Sequence, residues 1–189
     1  MDAAAIVPFV VADAAAWRAW LDTNEESSDG VWLMLAKKGI VHPTSLTYAE
    51  ALDEALCSGW IDGQKRSYDA TTFLQRFTPR RARSTWSQRN LEHIDRLTQE
   101  SRIRTRGQNE IDRAQADGRW DRAYAGSATI IVPEALERAL DASPSARARF
   151  DALSRSERFS VLHPLVTAPN DDTLARRLRK AIDRLERGA

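Results

Sequence analysis

The sequence predicts an α+β fold, with a small, mainly antiparallel sheet covered by helices, followed by an α-helical C-terminal module. Two patterns predict it. Short β-branched and aromatic runs separated by turn residues fill the chain as far as Phe77, whereas apolar stripes at helical spacing take over from Ser84 onward. A third observation, 42% hydrophobic and 29% charged residues over 189 positions, fits a globular chain that buries its own core without disulfide or metal.

In order, Ile6 to Val11 reads as a short strand, and Asp13 as the cap of a helix with Ala14, Trp17 and Leu21 on one face. Gly30 ends a polar loop. Val31 to Ala36 then sets Val31, Leu33 and Leu35 against Trp32 and Met34, the pattern of a strand buried on both sides. Thr47 with Glu50 forms a capping box for a helix from Tyr48 to about Cys57, and Gly59 supplies its left-handed stop. Trp60 to Phe77 reads as strands and turns, with Asp62-Gly63 and Asp69-Ala70-Thr71 as the turn sites.

Leu91, Ile94 and Leu97 mark one helix, and Ile111 and Ala114 another that ends at Asp117-Gly118. Trp120 and Tyr124, four apart, share a further helical turn, and Pro133 opens a helix carrying Leu136 and Leu140. Phe150 and Leu153 lie on the next. Ser154 and Glu157 make a second capping box, and Pro164 kinks or ends the helix they open. Asn170 to Asp172 start a last helix with Leu174, Leu178, Ile182 and Leu185 as its stripe and Arg184 and Arg187 near its end. A domain boundary falls between residues 1–128 and 129–189.

Cys57 is the only cysteine, which rules out an intramolecular disulfide and favours a reducing compartment. The opening MDAAAIVPFVVADAAAW has no basic start and is interrupted by Pro8 and Asp13, so it reads as the start of the fold and not as an export signal or a membrane span; a cytoplasmic protein without membrane insertion is expected. Net charge is +1, so any preference for an anionic partner must be local.

It is local. Between Lys65 and Arg106 eleven Lys or Arg face four acids. Guanidinium groups recognise phosphate and carboxylate bidentately, and neighbouring aromatic rings add stacking surface. Within this stretch Trp60, Arg76, Arg80, Arg81, Trp86 and Asn90 are the candidate ligand contacts, lying where a strand leaves and a helix enters. Arg89, Arg96, Arg102 and Arg104 read as solvated helix surface paired with Glu92, Asp95 or Glu100. Ser84 and Ser87 suit helix caps as well as ligand contacts. Asp62, Lys65 and Ser87 are the candidate catalytic groups, against a turn role for Asp62. Cys57 reads as structural. His42, His93 and His163 are dispersed, so no metal site is expected, and no dinucleotide, P-loop or serine-hydrolase signature is present to name a cofactor or reaction.

GWIDGQKR at Gly59 to Arg66, FLQRFTPRRARSTWSQRN at Phe73 to Asn90 and DGRWDRAY at Asp117 to Tyr124, with LSRSERF and LARRLRKAI further on, resemble the YdeI/OmpD-associated, or bacteriocin-protection, family. The chain departs from that pattern at APNDDTLA, before the last helix. The resemblance implies a link to resistance against bacteriocins and cationic antimicrobial peptides and to an outer-membrane porin, and it implies no catalytic residue. The leading expectation is a stress or resistance accessory protein binding an anionic small molecule. An enzyme acting on an anionic metabolite, a less favoured nucleic-acid binder and a protein-interaction module on the C-terminal helices stand beside it.

Overall fold

The computed structural model describes residues 6–188, so the first five residues of the N-terminal apolar run lie outside it. The elements run α1 (Ala14–Asn24), β1 (Val31–Ala36), α2 (Tyr48–Cys57), β2 (Trp60–Ser67), β3 (Thr72–Pro79), α3 (Gln88–Gln99), α4 (Thr105–Ala116), α5 (Glu134–Asp141), α6 (Pro144–Ala152), α7 (Arg155–Val166) and α8 (Asp171–Arg187). The fold is α+β, with a helical C-terminal part. It divides into two compact units: the chain up to Ser84 with Glu92–Gly118, and Thr85–Leu91 with the chain from Arg119 onward.

In the first unit an antiparallel sheet has the order β1-β3-β2. Asp13 accepts the Ala16 amide at 2.9 Å and starts α1, whose Trp17 and Leu21 are fully buried. Trp17 stacks on Trp20 at 5.2 Å and meets Trp60 edge-on at 6.2 Å and Phe77 at 5.8 Å. These rings tie α1 to the strands that follow it. The capping box of Thr47 and Glu50 starts α2, and Gly59, at φ 68°, turns the chain out of that helix into β2.

Several elements differ from their sequence pattern. Ile6 to Val11 makes no strand. Only Phe9 bridges to β1, giving its amide to Trp32 at 2.8 Å and accepting from Met34 at 2.9 Å, because Pro8 has no amide with which to extend a ladder. Asp62-Gly63 is not a turn. It lies inside β2 at a bulge, where the register with β3 shifts and the Gly63 carbonyl accepts from the Gln75 side chain at 2.9 Å. The reversal comes at Asp69, whose carboxylate collects the Thr71 and Thr72 amides at 2.7 and 2.6 Å. Those amides hold its pKa down, to about 2.

Helix α3 starts at Gln88, not near Ser84, since the Ser84 hydroxyl accepts the Arg81 amide in a separate turn.

In the second unit Trp120 and Tyr124 are not on one helical turn. Tyr124 exchanges backbone hydrogen bonds with Trp86 and Gln88, which takes it out of any helix. Its ring meets His163 edge-on at 4.4 Å, while Trp120 packs on Trp86 at 5.2 Å. Pro133 precedes α5 as its cap. Leu136, Leu140, Phe150, Leu162, Leu165 and Leu185 form the buried core of this unit, with Leu174, Leu178 and Ile182 against it. The second capping box, Ser154 with Glu157, starts α7. Asn170 caps α8 by accepting the Thr173 amide at 2.9 Å, as its sequence position predicts.

Candidate functional site

Among the sequence candidates of the first unit, Trp60 is fully buried and its indole donates to the Glu25 carbonyl at 3.2 Å. Arg80 is 5% exposed, its amide bonded to the Gly59 carbonyl at 3.0 Å. Arg81 is exposed on the turn after β3. Asp62 accepts from the Tyr48 hydroxyl at 2.9 Å, and the Lys65 ammonium stands 4.3 Å from the centre of the Phe73 ring, so the two have separate partners on either side of the bulge. Arg76 gives a hydrogen bond to the Asp29 carbonyl at 3.3 Å. In the second unit Trp86 is buried against Trp120. There the Ser87 hydroxyl accepts the Asn90 amide at 3.2 Å, as a helix cap does, and Asn90 is half-buried in the first turn of α3.

The basic residues divide by their partners. Arg96 reaches both oxygens of Asp53 at 2.7 Å and Glu100 at 3.1 Å. Arg102 and Arg104 close on the two oxygens of Glu54 at 2.7 and 2.6 Å, and Arg104 also donates to the Ser58 hydroxyl at 2.7 Å. Arg106 pairs with Glu26 and donates to the Ser58 and Gly59 carbonyls. Only the contacts to Glu100 are the local pairs the sequence suggests. The rest are long-range, those to Asp53, Glu54, Ser58 and Gly59 joining residues about fifty positions apart around α2 and its end, and that to Glu26 reaching further, to the end of α1.

Burial works against the charge on Arg102, but the hydrogen bonds it donates to Glu100 and Glu54 outweigh it and raise its pKa. His93 Nδ1 lies 3.0 Å from Asp53 and joins this network. Cys57 sits beneath it, and burial, with Glu54 beside it, pushes its thiol up to about 11. A thiol so held is ionised even less at neutral pH than an ordinary cysteine, which disfavours it as a nucleophile.

Lys65, Arg66 and Arg76 differ. Among the described residues none of them has a carboxylate partner. The strand register explains which of them converge. Trp32 on β1 stands directly opposite Arg76 on β3, and two residues along, Leu74 of β3 lies between Met34 of β1 and Arg66 of β2. Side chains alternate along a strand and opposite residues share a face, so Trp32, Arg66 and Arg76 rise from one face of the sheet over Met34 and Leu74. The Arg66 guanidinium lies 5.1 Å from the Trp32 ring centre. Met34 and Leu74 are buried, Trp32 and Arg76 half-buried and Arg66 exposed, giving an apolar floor with two cations and an indole above it. Sequence reasoning missed Arg66 and Trp32 as partners because only the β1-β3-β2 order brings them together. Trp32 lies in a run that reads as core.

Compared with known proteins, residues 9–110 match a family described as a domain of unknown function, DUF8412. Residues 129–188 match the family described as bacteriocin-protection, YdeI or OmpD-associated. The blocks at Gly59 to Arg66 and Phe73 to Asn90 fall within the first match, and the helices α5 to α8 within the second. No curated protein and no solved structure matches the chain. Spanning more than half of the 189 residues, the first match places the chain in the DUF8412 family, while the similarity to the bacteriocin-protection, YdeI or OmpD-associated family covers the C-terminal helices alone.

Proposed function

We propose that this protein is a cytoplasmic accessory of bacteriocin or antimicrobial-peptide resistance that binds an anionic small molecule on the sheet face formed by Trp32, Arg66 and Arg76. One observation carries the binding reading. Arg96, Arg102, Arg104 and Arg106 are matched by carboxylates of α1, α2 and their neighbours, whereas Arg66 and Arg76 flank an indole with no carboxylate partner among the described residues. Two guanidiniums over an apolar floor favour a phosphate or carboxylate by paired charge-assisted hydrogen bonds, and the indole adds an edge for a planar group. The resistance role draws on the C-terminal family match alone. Among the described residues no helix is long and apolar enough to cross a membrane.

Of the residues singled out by sequence, Arg76 belongs to the proposed site and Arg81 adds positive charge from the turn after β3. Trp60, Arg80 and Trp86 act as buried supports of their own units. A thermal-shift series with inorganic phosphate, nucleoside monophosphates and dicarboxylates tests the proposal, because a ligand of the native state raises the melting temperature. The expected result is a rise for at least one of these anions that disappears in Arg66→Ala and in Arg76→Ala. No rise, or an equal rise in both variants, contradicts it.

A further inference from the structure

The second unit contains a cleft of about 680 Å³ between α7 and α8. The connection between the two helices is only Thr167 to Asn170, so they run antiparallel. Arg177 ties them near that connection by donating to the Pro164 carbonyl at 2.6 Å. Buried Leu165 and Leu185 give the cleft an apolar base, and half-buried Val161 and Ala181 with exposed Pro164 continue that surface outward from both helices.

Cations line it from end to end. Arg177, Lys180 and Arg184 recur every three or four residues, which sets them along one edge of α8 over about 10 Å, and all three reach the cleft. Lys180 has no ion-pair partner among the described residues. The one acid on the lining, Glu157, stands at the Arg184 end and is engaged in the capping box, where its carboxylate accepts from the Ser154 amide at 2.9 Å and hydroxyl at 2.6 Å. A row of positive charge and an apolar strip therefore run side by side along the cleft. An occupant that satisfies both must carry negative charge and apolar surface in parallel, over the same length. A helix with acids three and four residues apart and an apolar stripe beside them has this period. A small anion meets one or two of the cations and leaves the apolar strip wet. A flat bilayer surface does not enter a concave cleft, and a second copy of α8 would set cation against cation.

We infer that the α7–α8 cleft is the docking groove for an acidic amphipathic helix of a protein partner, its apolar stripe against Val161, Pro164 and Ala181 and its carboxylates along Arg177, Lys180 and Arg184. The apolar strip supplies the contact area. The cation row selects an acidic helix over a basic or neutral one, and its spacing fixes the register of the two helices. This site is separate from the sheet face of the first unit and stands or falls independently of it.

Fluorescence anisotropy of a labelled synthetic peptide titrated with the full chain tests the inference. The peptide is about fifteen residues of high helix propensity, with a leucine stripe bordered by glutamates at the spacing of Arg177, Lys180 and Arg184. Saturable binding of one peptide per chain is expected. The same peptide with lysine for every glutamate, and a scrambled peptide of the same composition without the stripe, are each expected to bind roughly tenfold more weakly or worse. Lys180→Glu, at an exposed position, is expected to weaken binding about tenfold, and Ala181→Trp, which fills the groove without changing its charge, to abolish it. Circular dichroism reports whether each variant is folded, and should Ala181→Trp unfold, Lys180→Glu and the scrambled peptide decide. Absence of saturable binding, equal affinity for the scrambled or the lysine peptide, or native affinity in either variant when folded overturns the inference. Adsorption to vesicles of anionic phospholipid without binding of the peptide overturns it as well, and assigns the cation row to a membrane surface.

Discussion

Glu54 is 7% exposed and receives two guanidiniums, so its carboxylate is desolvated and held entirely by Arg102 and Arg104. Removing one member of such a pair strands the others. Glu54→Ala is expected to lower stability by about 3 kcal/mol in a denaturant titration, a loss larger than any exposed ion pair of this chain would give. Little or no change would mean that the network is solvated. His163 makes a second residue-scale case. Desolvation, then the nearby Arg177, lowers its pKa, so the unfolded chain binds a proton more readily than the folded one. Its contribution is complete above the ordinary histidine range and is lost as pH falls through that range toward the depressed value. His163→Phe is expected to flatten the fall in melting temperature just below about pH 6.5. An unchanged slope would assign the fall to other groups.

At the scale of elements, helices and caps were legible where both partners lie within one turn. Thr47 with Glu50 and Ser154 with Glu157 need only their spacing, and so does Asp13 before α1. The pairing of α2 with the Arg102 to Arg106 stretch was not legible, because Asp53 and Glu54 read as ordinary solvated helix charges until tertiary packing brings arginines fifty residues away onto them. The bulge at Asp62-Gly63 was hidden for the converse reason, since a turn-forming dipeptide was overruled by the pairing of β2 with β3 on both sides of it. Close packing of α4 on α2 gives a prediction of its own. A side chain at Gly107 would place its first carbon 2.2 Å from the Cys57 carbonyl oxygen, a backbone atom that also accepts the Arg104 amide. Gly107→Ala is therefore expected to cost about 2 kcal/mol in a denaturant titration, and a neutral result would show that α4 moves freely away from α2.

Over the whole molecule, a net charge of +1 conceals an uneven distribution. The excess of basic residues between Lys65 and Arg106 was visible in the sequence, but its division was not. Arg96 to Arg106 serve the interior of the first unit, while Arg66 and Arg76 are left beside Trp32 on a sheet face. Trp60 and Trp86 drew attention as stacking surfaces because they sit among arginines in sequence, and both are buried. Trp32 became identifiable only when strand order placed it across from Arg76. The most direct test of anion binding at this face follows the indole N–H resonances of the six tryptophans during titration with inorganic phosphate and then with a nucleoside monophosphate. The account predicts a saturable shift of the Trp32 resonance, with Trp17 and Trp60 unmoved, and loss of that shift in Arg66→Ala. A titration that leaves Trp32 unmoved, or that moves it equally in Arg66→Ala, would contradict it.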